Sequence, residues 1–391
     1  MRVLGPGNAA KISDDVFQQL SFALPDGPVC PGLQHLTWVS SSGWGRVQHF
    51  ISPQLVSVFF HQRQRAQHVT AGPTVASVIH LLPTTHLEKL RVDGDIAPSP
   101  SMHTALSEVV QRLNTCFKRI SISSRLSDAA WAHLASLPKL KSLEVHGTPS
   151  TETPKSIPHE LAFPVLENMR VVVDNVHQNW PLLFPLIESS PLQRVAVVAG
   201  PGIQCKDIPS QVTVALLRAK LQQSVNSLVF TGFDPASLTF TSHLGPFGSL
   251  KMVHCNTQCQ QSGQCVSPLT DTDIERLASG LPQLRNLWLG HVCGYSRSHH
   301  TTIKSMISLS IHCLSLKTLN LPCDLTNISE DAKTESGELD PRLAIQSSCM
   351  LRHLAFHWMV MPPPEDVVAV GIVASAFRHL FPRLESSWTL G

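Results

Sequence analysis

The sequence predicts an α/β fold: an irregular solenoid in which short strands line up as a curved parallel sheet and helices pack on its outer side. Three observations predict it. An apolar triplet at positions 1, 4 and 6 of a short segment recurs twelve times along the 391 residues. Successive triplets start 22 to 35 residues apart, a period of one strand plus one helix. Many of the gaps hold a helix-like stretch that ends in proline just before the next triplet, most clearly at Leu137-Pro138-Lys139-Leu140, Phe163-Pro164-Val165-Leu166 and Leu281-Pro282-Gln283-Leu284.

The triplets are, in order, Leu33/Leu36/Trp38, Leu55/Val58/Phe60, Leu87/Leu90/Val92, Phe117/Ile120/Ile122, Leu140/Leu143/Val145 and Leu166/Met169/Val171. They continue as Leu192/Val195/Val197, Val225/Leu228/Phe230, Leu250/Val253/Cys255, Leu284/Leu287/Leu289, Leu316/Leu319/Leu321 and Leu351/Leu354/Phe356. Positions 4 and 6 lie two apart, so on an extended strand both point to one face and their neighbours to the other. This is the leucine-rich-repeat pattern. A proline both stops a helix and biases its predecessor toward extended backbone, which suits a helix-to-strand junction. Phe381-Pro382-Arg383-Leu384 suggests a thirteenth, partial repeat.

Helix starts are legible where short polar residues precede apolar ones. Ser127-Asp128 stands before Ala129-Ala130-Trp131, and Asp271-Thr272-Asp273 before Ile274 to Leu277. Further helices are expected over 74–82, 102–116, 180–189, 211–223, 301–313 and 366–380. Residues 1–32 read as an N-terminal helical cap, carried by the run Ile12 to Leu20, and residues 33–391 as one solenoid of about twelve repeats. Between repeats, Pro322 to Arg342 collects six acidic residues with little apolar content and reads as a mobile acidic loop. Gly147 to Pro158 and Ala199 to Pro209 read as smaller loops.

With 15% charged residues and a formal net charge of +2, the chain offers no bulk attraction for nucleic acid or membrane. Its N-terminus lacks the apolar core of a signal peptide, and its best apolar run, Val367 to Phe377, is too short to span a bilayer. A cytoplasmic or nuclear protein is expected. The ten cysteines then read as reduced thiols, with Cys255 at a core-facing triplet position. His254, Cys255, Cys259, Cys265, His291 and Cys293 form the one metal-like constellation, but the second ligand pair is poorly matched, so no metal and no cofactor are expected. Nucleophile-elbow, phosphate-loop, zinc-helix and dinucleotide motifs are all missing, which points away from an enzyme.

Triplet positions 3, 5 and 7 should face outward on the concave side. There the sequence places a basic cluster of Lys89, Arg91, Arg119, Arg170 and Arg194, interrupted by Asp93 and Glu144, with Phe59, His254 and Trp288 in the same rows. These eight residues are the candidate site, a groove for an acidic segment of a protein partner with Phe59 and Trp288 as anchors.

The repeat layout, with phrases such as Cys30-Pro31-Gly32-Leu33-Gln34-His35-Leu36-Thr37-Trp38 and Trp131-Ala132-His133-Leu134-Ala135-Ser136-Leu137-Pro138, resembles the leucine-rich-repeat region of F-box proteins from mushroom-forming fungi. The resemblance spans roughly residues 14–388. It implies a substrate-receptor surface of an SCF ubiquitin ligase, in which an F-box helix bundle docks the Skp adaptor. The F-box phrase leucine-proline-x-glutamate-leucine does not occur ahead of the first triplet, so the adaptor is expected only if an F-box precedes this chain. The asparagine usual at the ninth repeat position is replaced by Asp95, Thr148, Asp174 and Phe233. The alternative is a standalone repeat scaffold with no ubiquitin-ligase role.

Overall fold

The repeating unit opens on one turn. The N–H of Leu33, Leu55, Phe117, Leu140, Leu166, Leu250, Leu284 and Leu316 each donates to the carbonyl three residues earlier, at 2.9 to 3.5 Å. The turn sets the first triplet side chain into the core before the chain extends, and the N–H groups of the second and third residues then share the carbonyl of the second residue of the preceding repeat. Lys118 and Arg119, for instance, both donate to Glu88 O at 2.8 and 3.0 Å. Leu384 N–H repeats the turn onto Phe381 O at 3.0 Å, and the residues that would continue the expected thirteenth repeat lie outside the described residues.

The computed structural model describes residues 3–4, 19, 22, 27–40, 44–62, 71–94, 100–147, 162–173, 180–200, 207–257, 269–290, 301–331, 348–354 and 359–384. The chain divides into two compact units, Met1–Leu192 and Gln193–Gly391.

In the first unit, β1 (Val3–Leu4), β2 (His35–Ser40), β3 (Ser57–Gln62), β4 (Lys89–Gly94), β5 (Arg119–Ile122), β6 (Ser142–His146) and β7 (Asn168–Val173) pair in chain order, every pair parallel. The fourth triplet positions are register partners: Leu36, Val58, Leu90, Ile120, Leu143 and Met169 form one continuous row. All six are essentially fully buried. Val3–Leu4 lie inside the stretch read as an N-terminal cap and extend this row, with Leu4 opposite Leu36. The helix-like run 12–20 lies outside the described residues apart from Gln19.

The second unit holds β8 (Arg194–Ala199), β9 (Ser227–Phe233), β10 (Met252–Thr257), β11 (Asn286–Trp288), β12 (Thr318–Asn320), β13 (Cys323–Asp324), β14 (His353–Leu354) and β15 (Met359–Val360). The strands β8 to β12 and β14 pair parallel in sequence order, again aligning Val195, Leu228, Val253, Leu287, Leu319 and Leu354. Beside them β13 and β15 form a separate parallel pair. Between β9 and β10 the register shifts at Asn256/Thr257, so that Thr257 faces Phe233 and Gly232 becomes the extra residue. Its φ of +83° and a Cβ position 3.2 Å from Ala199 O both demand glycine there.

Helices form the second layer because their apolar stripes need cover. In the first unit Ala71–His80 packs on Pro100–Gln111, which packs on Asp128–Ser136. In the second, Asp271–Gly280 packs on Ile303–His312, which also meets Val367–Leu380. The expected starts are present: Ser127 Oγ accepts from Ala130 N–H, and Thr270 with Asp273 closes a capping box.

Two local expectations are corrected. The acidic stretch 322–342 is not a loop in its first half, since β13 and a short Ile328–Asp331 helix occupy it. Cys323, Leu325 and Ile328 are buried there, and Asp324 caps a turn by accepting from Thr326 N–H at 2.9 Å, so a few apolar anchors suffice to order a charged segment. Residues 332–347 lie outside the described residues. The residue before a junction proline is extended at Leu137, but Phe163 adopts φ +50°. Its buried ring, its N–H on Ala135 O (2.7 Å) and its carbonyl accepting from Ser190 Oγ (2.9 Å) hold that geometry against the proline's bias.

Candidate partner-binding surface

Strand alternation turns the third and fifth triplet positions away from the helices. In the first unit the fifth-position row reads Thr37, Phe59, Arg91, Ser121, Glu144 and Arg170 in direct register. Arg91 stands over the Phe59 ring, its guanidinium carbon 4.8 Å from the centroid, and pairs with Asp93 two residues on. That hydrogen bond raises the pKa of Arg91 above its ordinary value against the opposing effect of burial. Ser121 Oγ lies 3.0 Å from Glu144 Oε2 and 3.3 Å from Asp93 Oδ1, so its one proton serves either carboxylate. Arg170 Nε meets Glu144 Oε1 at 3.1 Å. One polar network thus runs from Phe59 to Arg170 across five strands.

This arrangement changes the character of the basic cluster. Arg91 and Arg170 project with side chains 56% and 51% exposed, yet both charges are already matched by Asp93 and Glu144. Lys89 and Arg119 are register partners in the third-position row, exposed and without an ion pair among the described residues. Arg194 belongs to the second unit, where it is exposed on β8.

The second unit carries the other two predicted residues. His254 and Trp288 are register partners on β10 and β11, both half-buried, with rings stacked at 5.2 Å and 14°. Burial, and secondarily the charge of Arg194, lower the pKa of His254 below its ordinary value, which favours the neutral imidazole in the stack. Beyond Trp288 in the row stands Asn320, fully buried, with neither amide atom hydrogen-bonded. A Cβ at Gly290 would lie 3.1 Å from both Trp288 Nε1 and Asn320 Oδ1, so the glycine lets these two side chains close over its backbone. Ala196 departs from the outward expectation in the same way as Asn320, being buried at 6% exposure.

Sequence reading passed over Asn320 as one more outward position. The second triplet position lies outside the outward rows and in this unit runs Gln193, Asn226, Lys251, Arg285, Lys317 and Arg352, basic in its last four members. Tabulating that column repeat by repeat is the signal that finds them.

Cys255 is fully buried and its thiol is pushed far up by desolvation, which disfavours the thiolate a metal would need. Cys259, Cys265, His291 and Cys293 lie outside the described residues. Among the described residues no group of three or more metal-ligating side chains is positioned to hold an ion, and no helix is long and apolar enough to cross a membrane. No family model matches the chain, and no curated protein matches it.

Proposed function

We propose that this chain is a protein-binding leucine-rich-repeat module of the kind that serves as the substrate-receptor region of an SCF ubiquitin-ligase F-box protein. The observation that supports it is strand alternation: most fourth and sixth positions are spent on the core, while the fifth position pairs Phe59 with Arg91 in the first unit and His254 with Trp288 in the second, each pair on the strand face turned from the core. Half-exposed aromatic rings held by neighbouring polar side chains are the anchor chemistry of protein interfaces. The ubiquitin connection adds a Skp-type adaptor, which binds only where an F-box precedes these residues; the standalone scaffold lacks it.

Affinity capture from a fungal lysate tests the surface. Phe59→Ala and Trp288→Ala should each weaken recovery of a partner at least tenfold while leaving the fold intact. Partner lists identical for wild type and both variants would remove both aromatic positions from the proposal. Adaptor recovered with the full-length gene product separates the receptor from the scaffold.

A further inference from the structure

We propose that the last four members of the strand-entry row of the second unit, Lys251, Arg285, Lys317 and Arg352, form a docking ladder for an extended acidic peptide segment of a partner protein. The row follows from the repeat geometry. Arg285 and Asn286 N–H both donate to Lys251 O (2.8 and 3.0 Å), Lys317 and Thr318 N–H to Arg285 O (2.7 and 3.1 Å), and Arg352 and His353 N–H to Lys317 O (3.0 Å each). Each cation is therefore bonded through its backbone to the next, at the strand spacing of about 4.8 Å, and the four cover about 14 Å.

All four side chains are exposed, and none forms an ion pair with a described residue. The same column in the first unit is the internal control. There it reads Gln34, Val56, Glu88, Lys118, Lys141 and Glu167, and its four charged members close into two ion pairs, Lys118–Glu88 at 2.8 Å and Lys141–Glu167 at 2.7 Å. The first unit neutralises its strand-entry row with its own side chains. In the second unit four like charges stand side by side without an ion pair to any described residue, an arrangement that an anionic partner relieves.

The partner's chemistry follows from the surroundings. In an extended peptide, carboxylates on alternate residues recur at about 6.7 Å along one side, within reach of long, rotatable Lys and Arg side chains. A single-stranded nucleic acid would seek stacking platforms. The row holds none, and the His254–Trp288 pair lies three residues further along β10 and β11, about 10 Å away. A pI near 8.1 and net charge of +2 also lack the broad basic field of a polynucleotide binder.

The ladder rests on the protein-binding reading but fails separately from it. The test titrates the full chain into a fluorescein-labelled twelve-residue peptide of alternating Glu and Ser, read by anisotropy at low salt. A Gln–Ser peptide and a twelve-nucleotide oligothymidylate are the comparison probes. Wild type should bind the Glu–Ser peptide most tightly, with an affinity that falls as salt rises. The combined K251E, R285E, K317E and R352E variant should lose on the order of 100-fold. Lys139→Glu with Lys220→Glu, exposed cations elsewhere, should change affinity less than about threefold. If the reversal does not fold, the four glutamine substitutions replace it, with a tenfold loss expected. Undetectable peptide binding, equal binding by wild type and the four-site variant, or tighter binding of the oligothymidylate would each overturn the ladder. A Trp288→Ala protein that loses its lysate partner yet keeps the peptide leaves the ladder standing and confines the other loss to the aromatic face.

Discussion

Asp271, in the first turn of one helix, caps the next: its Oδ1 accepts from Thr302 N–H at 2.7 Å and Ser305 N–H at 3.2 Å, and its Oδ2 from Thr302 Oγ1 at 2.8 Å. The carboxylate satisfies orphan donors at the start of the Ile303–His312 helix and lies at its positive end. A side chain of one repeat thereby fixes the helix of the repeat that follows.

Asp271→Ala should cost about 1–3 kcal/mol, because two backbone donors lose a charged acceptor at once. Thr270→Ala, which opens only the local capping box, should cost about 1 kcal/mol. Urea unfolding of both variants checks the order, and a smaller loss for Asp271→Ala than for Thr270→Ala would show that the inter-repeat cap carries no weight.

Leu287 lies in the inward row between Val253 and Leu319 and is fully buried. Leu287→Ala should destabilise by about 2–5 kcal/mol through lost transfer energy and the cavity left behind. Arg119→Ala, one row outward and exposed, should stay within about 0.5 kcal/mol. Comparable losses at the two sites would contradict the assigned faces.

The Arg170–Glu144 pair is about half exposed on the Arg side, so its coupling energy should be small despite the 3.1 Å contact. A double-mutant cycle with Arg170→Ala and Glu144→Ala should return about 0.2–1 kcal/mol, shrinking in 1 M salt. Coupling that is large and insensitive to salt would mean that the network behaves as a buried one.

His254 supplies a pH dependence whose sign is fixed by the direction of its shift. Its folded pKa is lowered, by burial first and Arg194 second, so the unfolded chain takes up the proton at higher pH than the folded one. The contribution to stability is complete above the unfolded value of about 6.5 and declines as pH falls toward the folded value. Denaturation midpoints at pH 7.5 and 5.0 should differ less in His254→Gln than in wild type, and an unchanged difference would exclude this histidine from the acid response.

Much of the architecture was written in the chain as local periodicity. All twelve first-position residues, Leu33 through Leu351, are buried, and so are eleven of the fourth-position residues, because a strand forces alternate side chains onto one face whatever its neighbours are. Helix starts at Ser127 and near Asp271 were equally local, since a cap is a contact between residues two or three apart. The tertiary structure alone decided which outward residues meet. Repeats of 22 to 35 residues do not state their register, and only that register brings Glu144 to Arg170, His254 onto Trp288, and Lys251 beside Arg285. It also buried Asn320 and Ala196 at positions the two-residue period turns outward, and ordered Cys323 to Asp331 where composition suggested a loop. Burial at those sites is set by distant segments that pack over them, and a pattern read along one strand contains no term for such neighbours.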